Sequence, residues 1–99
     1  MAKIYHITTA EAWKKAQAEG VYSSPALNAE GFIHCCEASQ VDYIKDKYYQ
    51  GVSDLLQLTI ETDKLSSQFI FEWSPSLEQT FPHVYGPINL DSVVATESK

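Results

Sequence analysis

The first alternation in the chain, KIYHIT, sets Ile4, His6 and Thr8 on one face of a strand and Lys3, Tyr5 and Ile7 on the other. Thr8 with Glu11 three residues later is a capping-box pattern, so a helix is expected from near Thr9. Ala12, Trp13 and Ala16 recur at helical spacing along it, and Gly20 is its expected stop. VYSSPALNAEG reads as turn material with a short strand at Val21–Ser23. GFIHCC is the next strand, with Phe32 and His34 on one face and Ile33 and Cys35 on the other. Ser39 is expected to cap a second helix with Val41, Ile44 and Tyr48 on its inner stripe and Gly51 at its end.

Past that helix the period returns to two. DLLQLTIE sets Leu56, Leu58 and Ile60 against Gln57, Thr59 and Glu61, and QFIFEW sets Phe69, Phe71 and Trp73 against Ile70 and Glu72. SPSLEQT is a polar loop, HVYGPI a short strand broken at Gly86-Pro87, and SVVAT a last strand. Strands early and late around two helices define an α+β class with a small, mostly antiparallel or mixed β-sheet.

Composition narrows the setting. The 99 residues suit a single domain, 1–99, with one modest core. No apolar run approaches a membrane span and MAKIYHITT has no signal-peptide core, so a cytoplasmic protein without a membrane partner is expected. A net charge of −6 argues against general nucleic-acid binding. All seven basic side chains are Lys and none is Arg, so any phosphate must be held by Lys, His, hydroxyls or backbone N–H groups, not by a guanidinium fork. Cys35 and Cys36 are adjacent, which strains a mutual disulfide, and no C-x-x-C spacing exists; they read as buried free thiols.

The candidate chemistry lies in three histidines, His6 in YHIT, His34 in GFIHCC and His83 in FPHVYGP. All sit among aromatic and β-branched residues. Each alone fits a hydrogen-bonded packing residue as well as a site residue. His6 and His34 are mid-strand, so their positions are fixed by the pleat; Thr8 shares the face of His6, and Tyr85 that of His83. Two imidazoles could serve as acid and base in phosphoryl or glycosyl chemistry. Three could bind zinc, but no H-E-x-x-H or H-x-H spacing is present and no metal is expected.

Taken in order, YHIT, G-V-Y after the first helix, EGFIHC, LLQLTIE with its following T-D-K-L, and FPHVYGPI resemble the bacterial domain of unknown function 952, from Lys3 to about Val94. A more distant similarity joins YHIT, EGVY, FIHCC and DLLQLTI to the RNA 2′-phosphotransferases, whose corresponding motifs follow the same order. That resemblance implies an ADP-ribosyltransferase-like fold, a split pair of small sheets with a nucleotide cleft between them. It implies NAD, or an ADP-ribose-like nucleotide, as ligand and substrate, with no other cofactor. His6 and Thr8 would then hold ribose and His34 would line the nicotinamide end. For the third-strand position Glu72 and His83, as catalytic residues, compete with Tyr85, as a ligand-binding one. The implied chemistry is ADP-ribosyl or glycosyl transfer, or NAD cleavage, through an oxocarbenium-like sugar stabilised electrostatically. Two departures stand against transfer of an RNA phosphate: the missing arginines, and Cys36 where a serine would end the second motif. They keep open a second reading, a non-catalytic module that senses a small molecule or docks to a partner protein.

Overall fold

KIYHITT forms β1 (Lys3–Thr9), with Ile4, His6, Ile7 and Thr8 all buried, because neighbouring elements cover both of its faces. The computed structural model describes residues 2–99. α1 (Ala10–Glu19) starts one residue later than the Thr8/Glu11 pattern predicts. Thr9 is the N-cap and its hydroxyl accepts the Ala12 N–H at 3.1 Å, which leaves the Thr8 hydroxyl free to face the interior. Gly20 ends the helix in the left-handed region at φ 87°.

β2 (Val21–Tyr22) follows, and then PALNAE folds as a helix instead of a turn, α2 (Pro25–Glu30). Pro25 occupies the first turn, where its missing N–H is not needed, and Gly31 closes the helix at φ 88°. Among the described residues the fold therefore has three α-helices, not two. β3 (Ile33–His34) is short because the chain turns away to meet β1: the Tyr5 N–H donates to the Cys36 carbonyl at 2.8 Å and the Cys36 N–H to the Tyr5 carbonyl at 2.7 Å.

Ser39 does not cap the next helix. Glu37 and Gln40 form a reciprocal capping box around the 3-10 turn Ala38–Gln40, with the Glu37 N–H donating to Gln40 Oε1 at 2.9 Å. The Gln40 amide then donates to the Thr80 carbonyl at 3.0 Å, tying the turn to the strand beyond. α3 (Val41–Tyr48) buries Val41 and half-buries Ile44, but Tyr48 is exposed. Tyr49, one residue past the helix, takes the inward place and donates its hydroxyl to the Ile7 carbonyl at 3.2 Å.

The remaining strands are β4 (Leu55–Glu61), β5 (Phe69–Ser74), β6 (Gln79–Val84), β7 (Ile88–Asn89) and β8 (Val93–Ser98). They complete two antiparallel three-stranded sheets, ordered β1-β4-β8 and β3-β6-β5, and a small β2-β7 pair. The class is α+β with mostly antiparallel sheets. β4 and β6 are the central strands, which is why Leu58, Ile60, Phe81 and Val84 are all buried. β5 lies on an edge, and so the alternation of QFIFEW leaves Phe71 and Trp73 exposed. One core gathers Ile4, Tyr22, Ile33, Ile60, Val84 and Ile88; a second gathers Ile7, Cys36, Val41, Leu55 and Phe81.

Candidate functional site

The deeper part of the site grows from β1. His6 is buried, and its Nδ1 lies 2.6 Å from the His34 carbonyl, an oxygen that can only accept. Nδ1 therefore carries a proton. Desolvation by burial, set against the hydrogen bond to His34, pushes the His6 pKa down to about 4, so near neutral pH the ring is uncharged and Nε2 bears a lone pair. The Tyr22 hydroxyl, 2.8 Å away, donates to it. Having given its single proton to His6, the Tyr22 oxygen takes the Thr8 hydroxyl, 3.0 Å distant, as a donor. Burial also pushes the Tyr22 phenol up to about 12, which keeps its proton in the chain of bonds. The Tyr22 ring stands edge-on to the imidazole, with centroids 5.1 Å apart.

The opposite wall comes from the β3-β6-β5 sheet. Antiparallel register places His34 directly across from His83, with ring centroids 5.3 Å apart. Phe32 stacks on His83 at 4.1 Å and 15°, and meets His34 edge-on at 4.8 Å. On the other side of β6, Glu72 faces Phe81 in register and reaches His83 diagonally. The His83 Nδ1–H donates to Glu72 Oε1 at 2.7 Å, and the Tyr85 hydroxyl donates to the same oxygen. Those two bonds, Tyr85 first and His83 second, hold the Glu72 carboxyl below the ordinary carboxylate range, and the same carboxylate raises the Tyr85 phenol. His34 is exposed and pairs through Nε2 with Glu30 Oε1 at 3.2 Å.

Between these walls lies a cavity of about 920 Å³. His6, Thr8, His34 and His83 all line it, so four of the six residues singled out from sequence meet at one surface. Glu72 and Tyr85 are not part of the lining; they connect to it through the His83 ring. The lining also includes Tyr22, Ser24, Glu30 and Phe32, none of which the sequence singles out as a site residue. Ser24 Oγ is buried there with no hydrogen-bond partner among the described residues. Glu30 is the one carboxylate of the lining, and no Lys contributes to it. Cys35 and Cys36 also border the cavity, but burial pushes the Cys36 thiol up to about 12 and the Cys35 thiol higher still, so neither is a nucleophile near neutral pH. Among the described residues no three or more His, Cys, Asp or Glu side chains converge as metal ligands. No helix among them is long and apolar enough to cross a membrane.

Two small antiparallel sheets meeting at a histidine-lined cleft define the class: an α+β domain with a small-molecule-sized cavity. The chain belongs to the family described as protein of unknown function (DUF952), whose profile matches residues 7–96. It is similar to the crystal structure of protein CC0527 from Caulobacter crescentus, with a TM-score of 0.88 and 28% identity over 98% of this chain and 85% of that one. It is also similar to the solution NMR structure of CC0527, with a TM-score of 0.82 and 29% identity over 99% of this chain and 84% of that one. No curated protein matches the chain.

Proposed function

We propose that the cleft binds NAD or an ADP-ribose-like nucleotide, gripping its ribose and its rings more than its phosphates. The observation that carries this reading is the clustering of fixed hydroxyls, on Thr8, Tyr22 and the unpartnered Ser24, in one cavity walled by aromatic rings. A buried hydroxyl without a partner costs about 1–3 kcal/mol, and a ribose hydroxyl placed beside Ser24 Oγ recovers that loss. Phe32 and Tyr49 line the cavity with aromatic surface for a purine or nicotinamide, each stack contributing on the order of 1–3 kcal/mol. The cavity's volume of about 920 Å³ lies within the range of ligand sites.

With no Lys in the lining and no Arg in the chain, the pyrophosphate sits at the mouth, in water. The resemblance to the ADP-ribosyltransferase-like fold supports the same orientation, with His6 and Thr8 toward the adenosine-side ribose and His34 toward the nicotinamide end. Calorimetric titration with ADP-ribose tests the reading. The wild type should bind, and Tyr22→Phe, which removes one hydroxyl from the lining, should bind about ten-fold more weakly. No heat and no thermal shift at millimolar ligand would refute the nucleotide reading. A second reading then stands on the exposed Ile70 and Phe71 of the β5 edge: a module to which a partner protein adds an extended strand.

A further inference from the structure

We propose that His83, oriented by Glu72, is the general base of this cleft and takes a proton from the water that attacks the anomeric carbon of an N-ribosyl ligand. The inference rests on the nucleotide reading above and adds the reaction. Of the three imidazoles, only His83 has the required arrangement. Both nitrogens of His6 are committed, to the His34 carbonyl and to Tyr22. His34 is more than half exposed and engaged with Glu30.

His83 has Nδ1 held by Glu72 at 2.7 Å, while Nε2 has no partner among the described residues and is not shut off from solvent. The ring borders the cavity, lies on the central strand of its sheet, and is clamped in its plane by Phe32 stacked at 4.1 Å. Glu72 accepts from Nδ1 and so fixes the tautomer that leaves Nε2 as the proton acceptor. Tyr85 holds Glu72 in place. Glu72 is thus a positioning residue, since it does not reach the cavity itself.

The step balances without an oxidant or reductant. One water proton passes to Nε2 of His83 as the water oxygen bonds to the anomeric carbon. The carbon–nitrogen bond breaks, and its electron pair stays on the ring nitrogen. That nitrogen was cationic in NAD, so nicotinamide leaves neutral. The products are ADP-ribose, nicotinamide and a proton, which His83 returns to solvent.

The test measures nicotinamide release from NAD and ADP-ribose binding in the same preparations of wild type, His83→Gln, His83→Ala and Glu72→Gln, each checked for a native thermal transition. Wild type should release nicotinamide. His83→Gln should lower kcat by about 100-fold or more, with ADP-ribose affinity within about three-fold of wild type, a change below 1 kcal/mol. Added imidazole should restore part of the release in His83→Ala, which a merely structural histidine would not show. Glu72→Gln should lower kcat with KM little changed. Wild type that binds ADP-ribose yet releases no nicotinamide overturns the base while the nucleotide reading survives. Wild type that binds neither ligand overturns both. A His83→Gln variant that folds and keeps wild-type kcat overturns the base alone.

Discussion

His6 shows how one side chain is both core and site. The alternation of KIYHIT places it on the face of Ile4 and Thr8, and that placement was legible because β1 runs unbroken over seven residues, so the pleat fixes which side chains share a face. Its partner was not. Tyr22 sits on a two-residue strand, too short for any periodicity, and only its position just after Gly20 marks it. The distant register of His83 against His34 and Glu72 was equally out of reach, because cross-strand pairs depend on which strands meet, not on local pattern.

The buried His6 carries a pH consequence. Its pKa falls from 6.5 in the unfolded chain to about 4 in the fold. Between those values the unfolded state binds a proton that the folded state refuses, so stability falls as pH is lowered through that window and levels off below it. The loss amounts to roughly 3 kcal/mol at most. Glu72, held low in the fold, adds to acid lability only below the ordinary carboxylate range. Urea unfolding should therefore show lower stability at pH 5 than at pH 7, and NMR should find the His6 ring neutral, with its proton on Nδ1, at pH 5. A His6 resonance titrating near 6.5 would contradict the proton assignment.

Among the elements, most strands were legible and most caps were not. The long alternations of β1 and β4 fall where the pattern puts them. The cap of α1 lies one residue on from the expected Thr8, and Glu37 with Gln40 replaces Ser39 ahead of α3. Capping depends on the backbone angle at one residue, which neighbouring polar residues can contest equally. α2 was missed because six residues cannot show a helical stripe, although Pro25 and Gly31 bracket it in the order that helices favour.

α2 matters to the site because it carries Glu30 and, through Gly31, sets the entry of the chain into Phe32 and His34. Gly31 has φ of 88°, and a Cβ there would meet nothing within 4 Å, so Gly31→Ala tests the backbone alone. The variant should lose about 1–2 kcal/mol in denaturant unfolding. Wild-type stability in Gly31→Ala would show that the left-handed closure of α2 carries no strain.

At the scale of the whole molecule, two small sheets are joined where Tyr5 and Cys36 exchange backbone hydrogen bonds, and the cavity opens beside that junction. The α+β class followed from the order of elements. The strand orders β1-β4-β8 and β3-β6-β5 did not, since each unites segments far apart in sequence and alternation says nothing about partners. The junction explains why three histidines from remote segments share one cavity: the His34 carbonyl accepts from His6, while the His34 ring lies beside His83.

The most direct measurement of the central claim is an NMR titration of isotope-labelled protein with ADP-ribose, read residue by residue. Saturable shifts should centre on Thr8, Tyr22, Ser24, Phe32 and His34, with the exposed β5 edge at Ile70 and Phe71, outside the cavity lining, little affected. Shifts confined to that edge, or none at millimolar ligand, would contradict it.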